Sequence, residues 1–111
     1  MDIFYALAEP TRRKILELLA SQGQLSATEI YDHFPASHPA ISQHLKVLRD
    51  ANLVNMEKRA QQHLYQINPQ AVHELEDWTA HLTRLWNARF DRLDELIKAE
   101  KAKNLTDRKE K

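Results

Sequence analysis

The chain has 111 residues, 42% of them hydrophobic and 29% charged, enough for one folded domain with a modest core. It has no cysteine, which excludes disulfides, thiolate metal sites and thiol nucleophiles, and its single glycine, Gly23, excludes a Rossmann fingerprint or a P-loop. Sixteen basic and sixteen acidic residues cancel, in equal shares on either side of Pro69, so attraction to phosphates has to come from local clustering.

Ile3 to Ala8 predicts a short first helix, with Ile3, Phe4 and Leu7 on one side. Glu9-Pro10 restarts the chain, because proline suits a first helical turn, where its missing N–H is no loss. Ile15, Leu18 and Leu19 then form a helical stripe that stops around Gly23. Ser26-Ala27-Thr28-Glu29 reads as a capping box, opening a short helix that carries Ile30 and Phe34 inward and ends before Pro35. Ser37 caps the next helix, with Pro39 in its first turn and Ile41, Leu45 and Leu48 along one face. Asn52 suits the left-handed residue that closes it.

Leu53 to Lys58 and His63 to Ile67 are strand-like and flank Arg59-Ala60-Gln61-Gln62. That run lacks the glycine a tight turn prefers, so a hairpin with a longer loop is expected. Asn68-Pro69 starts a last helix of roughly 30 residues, ~45 Å at 1.5 Å per residue. Its apolar positions are Val72, Leu75, Trp78, Leu82, Leu85, Trp86, Phe90, Leu93, Leu96 and Ile97. No repeat or linker divides the chain, so residues 1–101 are read as one domain and 102–111 as a charged, disordered tail. No apolar run spans a bilayer and no secretory signal opens the chain, which points to the cytoplasm.

Two capped helices joined by Pro35-Ala36-Ser37, followed by a polar-tipped hairpin, are the parts of a winged helix-turn-helix. At 100° per residue, Ile41, Leu45 and Leu48 of the second helix point inward with His44 beside them. Pro39, Ser42, Gln43 and Lys46 point outward, flanked by His38, Ala40 and Arg49. On a lone amphipathic helix that face would be ordinary solvated surface; in this succession of elements it becomes a base-reading surface. The candidate DNA contacts are Ser37, His38, Pro39, Ala40, Ser42, Gln43 and Lys46, with Arg59, Gln61 and Gln62 from the hairpin. For the hairpin residues, contact with the minor groove or backbone and plain solvation stand level. His44 reads as a part-buried, hydrogen-bonded core histidine, and Arg12, Arg13 and Lys14 as makers of intradomain ion pairs rather than DNA contacts.

The stretches Ala6-Leu7-Ala8-Glu9-Pro10-Thr11-Arg12-Arg13-Lys14-Ile15-Leu16 and Ser37-His38-Pro39-Ala40-Ile41-Ser42-Gln43-His44-Leu45-Lys46-Val47-Leu48 closely resemble the ArsR (arsenic-repressor-like) family of bacterial regulators. Ala51-Asn52-Leu53-Val54 and Tyr65-Gln66-Ile67-Asn68 extend the likeness to about residues 2–97. The resemblance implies a dimeric repressor that leaves its operator when an effector binds. Two departures stand out. Glu9 replaces an aspartate common in the family, and the Cys-x-Cys motif of metal-sensing members, in the helix before the recognition helix, is missing. The ending Phe90-Asp91-Arg92-Leu93-Asp94-Glu95-Leu96 resembles a subgroup without a recognised metal site, whose effector is unknown.

His73, Asp77 and His81 stand at i, i+4 and i+8, a ligand set that suits zinc. They lie opposite the apolar stripe and do not match the spacing of the family's C-terminal-helix sites, so a solvated face is expected and neither metal nor cofactor is assigned. The last helix carries the dimer argument. Leu75, Trp78, Leu82, Leu85, Trp86 and Phe90 are too many large apolar groups for a helix leaving so small a domain, each worth on the order of 1.5–3 kcal/mol when buried. With Ile3, Phe4 and Leu7 they make the expected homodimer seam, the alternative being packing on their own domain. A winged-helix protein-interaction module without DNA binding is the competing function, favoured by the neutral charge. Enzyme chemistry has no cysteine nucleophile, glycine loop or carboxylate pair placed in an evident cleft to rest on.

Overall fold

The computed structural model describes residues 2–109, with side chains described for residues 2–104. The chain forms two units, one reaching to His73 and one beginning at Glu74. In the first lie α1 (Ile3–Leu7), α2 (Pro10–Gln22), β1 (Gln24–Ser26), α3 (Ala27–Asp32), α4 (His38–Asp50), β2 (Val54–Arg59) and β3 (Gln62–Ile67); α5 (Pro69–Lys109) starts there and makes up the second.

The helices begin where local chemistry satisfies their first N–H groups. The Asp2 carboxylate accepts from Phe4 N–H, and that of Glu9 from Arg12 N–H ahead of Pro10. Ser26 and Glu29 form the reciprocal capping box: Glu29 N–H donates to Ser26 Oγ at 3.2 Å, and Ser26 N–H to Glu29 Oε1 at 3.0 Å. Those contacts hold the Glu29 carboxyl below its usual 4.5. Ser37 caps α4 through Ala40 N–H at 3.3 Å. The ends are equally local. Gly23 terminates α2 at φ +88°, and Asn52 terminates α4 at φ +60°, with Leu53 N–H returning to Leu48 carbonyl at 3.0 Å.

The core of the first unit is built from Ile15 and Leu19 of α2, Ile30 of α3, Ile41, Leu45 and Leu48 of α4, and Leu53 just before β2, all at most 1% exposed. Phe34 and Leu18, expected inward, are half-buried. The sheet is antiparallel in the order β1-β3-β2. Its third strand, β1, went unforeseen: three residues, Gln-Leu-Ser, are too few to show a period, and pairing with Gln66, Tyr65 and Leu64 makes them a strand.

The hairpin is tighter than expected. Arg59 pairs with Gln62, leaving a two-residue turn at Ala60-Gln61 in place of a longer loop. Only the first central residue, Ala60, has positive φ (55°), the pattern of a type II′ turn with alanine where glycine is preferred. Strand twist, which favours primed turns, has overridden residue preference.

Asn68 opens α5 as expected, its side-chain oxygen accepting Gln70 N–H at 3.2 Å. The helix is 41 residues long, not roughly 30, and the described part of segment 102–111 is helical through Lys109; residues 110 and 111 lie outside the described ones. Helix formers such as Ala99, Glu100, Lys101 and Ala102 continue a helix without any apolar period. No helix among the described residues is long and apolar enough to cross a membrane.

Candidate nucleic-acid interface

In α4 the inward and outward faces separate as the wheel requires. Ile41, Leu45, Val47 and Leu48 are buried, His44 is half-buried, and Ser42, Gln43, Lys46 and Arg49 are exposed. At the start of the helix Ser37, His38 and Pro39 are exposed and Ala40 is half-buried. Leucine and isoleucine anchors fix one side, so a polar stripe of Ser42, Gln43 and Lys46 is left facing outward.

The His38 ring is not free to rotate at will: it stacks on Tyr31 of α3, with centroids 4.4 Å apart and planes 15° from parallel. The stack spans the Pro35-Ala36-Ser37 turn and so ties the two helices of the motif together. Neither periodicity nor capping could have revealed it, since the two rings belong to different helices.

At the hairpin tip, Gln61 and Gln62 are exposed, and so is Arg59. Arg59 Nη2 lies 3.2 Å from Glu57 Oε1 and 3.3 Å from Oε2, in an exposed pair. Such a pair is worth little in water and a phosphate can displace it, but it halves the positive charge the wing presents at rest.

Arg12 and Arg13 differ from expectation. They stay within the domain, but they bind backbone rather than carboxylates. Arg12 Nε donates to Ala6 carbonyl at 2.7 Å, Arg12 Nη2 to Tyr5 carbonyl at 3.2 Å, and Arg13 Nη1 to Leu7 carbonyl at 2.6 Å. The reason is the brevity of α1, whose five residues leave their last carbonyls with acceptor capacity to spare, although Tyr5 carbonyl also accepts the Ala8 N–H at 3.2 Å. His44 is hydrogen-bonded, as expected: its Nδ1 meets Arg12 Nη1 at 3.3 Å, and its Nε2 lies 3.9 Å from Glu9 Oε2. Partial desolvation pushes the Glu9 carboxyl up, but the Arg12 N–H and nearby His44 outweigh it and hold the group below its usual 4.5. On the sheet, burial pushes the Tyr65 phenol up against the opposing pull of Arg49.

Among the described residues, no three His, Asp or Glu side chains converge as a metal site. Of the expected seam, Ile3, Leu7 and Leu75 are half-buried and Phe4 is 45% exposed. Along α5, Trp78, Leu82, Leu85, Trp86 and Phe90 are 48–57% exposed, followed by exposed Leu93, Leu96 and Ile97.

A capped helix-turn-helix with a polar outer face, followed by a two-stranded wing, defines a winged helix-turn-helix regulator that binds DNA. The profile of the bacterial regulatory proteins of the arsR family matches residues 9–56. The transcriptional repressor SdpR of Bacillus subtilis is 36% identical over 77 residues, covering 69% of this chain and 84% of SdpR. The HTH-type transcriptional regulator Rv2034 of Mycobacterium tuberculosis is 39% identical over 95 residues, covering 86% and 85% of the two chains. The crystal structure of an ArsR family transcriptional regulator aligns with a TM-score of 0.70 at 30% identity, over 77% of this chain and 87% of the other. The chain belongs to the arsR family of bacterial regulatory proteins. Having no cysteine, it has no thiolate metal site.

Proposed function

We propose that the chain works in the cytoplasm as a homodimeric repressor that binds an inverted-repeat operator and leaves it when an effector, not a thiolate-bound metal, engages the protein. The observation that carries this reading is the division of α4, with Ile41, Leu45 and Leu48 sealed in the core and Ser42, Gln43 and Lys46 exposed. The repressor role draws on the likeness to SdpR of Bacillus subtilis, a transcriptional repressor.

Gln43 reads sequence: its amide pairs with N6 and N7 of adenine, a contact worth roughly 1–3 kcal/mol of discrimination. Lys46, one turn on, supplies charge to a phosphate and carries no sequence information. Ser37, His38, Pro39 and Ala40 line the leading end of the helix, while Arg59, Gln61 and Gln62 reach the neighbouring backbone or minor groove. The second copy covers the exposed stripe of α5 together with Ile3, Phe4 and Leu7, because an apolar stripe of this size does not stay in water. Gel-shift titration against DNA upstream of its own gene is the test. The expected result is a retarded complex that survives excess non-specific DNA; equal loss to any competitor refutes sequence reading.

A further inference from the structure

Arg12 is charged yet only 8% exposed, and its guanidinium is spent on three acceptors in two other helices. Two are carbonyls at the end of α1, Ala6 and Tyr5, and the third is Nδ1 of His44 in α4. The Tyr5 ring also lies under the guanidinium carbon, 5.5 Å from it. A guanidinium has donors and no acceptor, so Nδ1 of His44 has to present a lone pair. The ring proton therefore sits on Nε2, the nitrogen that faces Glu9 Oε2 at 3.9 Å. That same oxygen accepts Arg12 N–H at 3.0 Å. One edge of the imidazole is thus held by the Arg12 side chain through a hydrogen bond, while the Glu9 carboxylate lies near the other edge, beyond hydrogen-bond distance.

His44 occupies the border between the buried and exposed faces of α4, directly beside Gln43 in sequence. The apolar anchors Ile41, Leu45 and Leu48 hold the helix down, but apolar contact is non-directional and tolerates a small roll about the helix axis. A hydrogen bond does not tolerate it, because it weakens steeply off line. Base readout depends on such a roll, since a bidentate amide has to meet N6 and N7 together, while phosphate contacts by a flexible lysine absorb it.

We propose that Arg12 is a positioning residue for DNA reading: its hydrogen bond clamps His44 in the Nε2–H tautomer, and the clamp sets the rotation of α4 that aims Gln43. The role rests on α4 being the DNA-reading helix. One side chain thereby joins the closing carbonyls of α1 to the recognition helix, and a change at α1 reaches the base-reading face through it.

The test has two arms. In the free protein, nitrogen-15 spectra of the histidine rings should show His44 Nδ1 bare and Nε2 protonated, and Arg12→Lys should abolish that preference. A protonated Nδ1 in the unaltered protein overturns the clamp. In the second arm, affinity for the operator is compared with that for scrambled DNA. Arg12→Lys and His44→Ala should each lower the ratio about tenfold, mostly through the operator. His44→Asn, whose Oδ1 can stand in for Nδ1 as acceptor, should recover most of it, and it serves with Arg12→Lys if His44→Ala does not fold. An unchanged ratio in Arg12→Lys, or equal loss in His44→Asn and His44→Ala, overturns the positioning role while leaving DNA binding intact. If the unaltered protein discriminates no operator, the regulator reading itself fails, and the spectra still decide the clamp.

Discussion

Leu82→Glu combined with Trp86→Glu should turn a dimer into a monomer. Leu82 is 50% exposed and Trp86 55%, so about half of each side chain remains for a partner to cover. Full burial of such a group is worth roughly 1.5–3 kcal/mol, so the uncovered half contributes about 1 kcal/mol or slightly more. A two-fold interface uses each residue twice, which brings the lost apolar burial to about 4–5 kcal/mol before any cost of burying carboxylates. At 1.4 kcal/mol per tenfold, the dimer should weaken by at least about 1000-fold. Sedimentation equilibrium over a range of concentrations reads this directly. The core of the first unit contains neither residue, so circular dichroism and amide spectra should show α1 to β3 still folded. A dimer of unchanged affinity refutes the assignment of this stripe to the seam.

The capping box gives a second expectation: Ser26→Ala should cost about 1 kcal/mol by chemical denaturation, because Glu29 N–H loses its acceptor. The Glu29 carboxyl lies below its unfolded value of 4.5, so its contribution is present above that pH and is lost as pH falls through the lower folded value; Glu29→Gln should therefore differ most from the unaltered protein above pH 4.5 and converge with it in acid. Ala60→Gly should raise stability by about 0.5–1 kcal/mol, the left-handed turn at φ 55° outweighing the extra freedom of an unfolded glycine; a loss on denaturation would count against the turn. Micromolar zinc should leave operator affinity unchanged, and weakening that disappears in His81→Ala would reveal a histidine–carboxylate site on α5.

Much of the first unit was legible because its signals are local. Ser26 with Glu29, Ser37 with Ala40, Gly23 and Asn52 act within one turn of their own backbone, and the stripe of Ile41, Leu45 and Leu48 follows from helical period alone. What escaped depends on partners distant in sequence. β1 exists through β3, and Arg12 finds His44 across 32 residues. The stack of Tyr31 on His38 was likewise hidden, since aromatic pairs between helices leave no periodic trace. At the hairpin tip, a preference for glycine suggested a longer loop, whereas the pairing of Arg59 with Gln62 demanded a tight one. The outward face of α4 was legible as a face, but the hold that fixes its rotation was not.

On the proposed reading, α4 reads bases through Gln43 while Lys46 supplies charge. Binding to a randomised operator library at several salt concentrations, for the unaltered protein, Gln43→Ala and Lys46→Ala, tests it most directly. The enriched site should be an inverted repeat with half-sites roughly one helical turn apart, or a small multiple of that. Gln43→Ala should flatten preference at one symmetric pair of positions with little change in salt dependence. Lys46→Ala should weaken all sequences alike and lower the salt slope by about 1 for each phosphate no longer neutralised. If Gln43→Ala lowers affinity for every sequence equally, α4 does not read bases through this face.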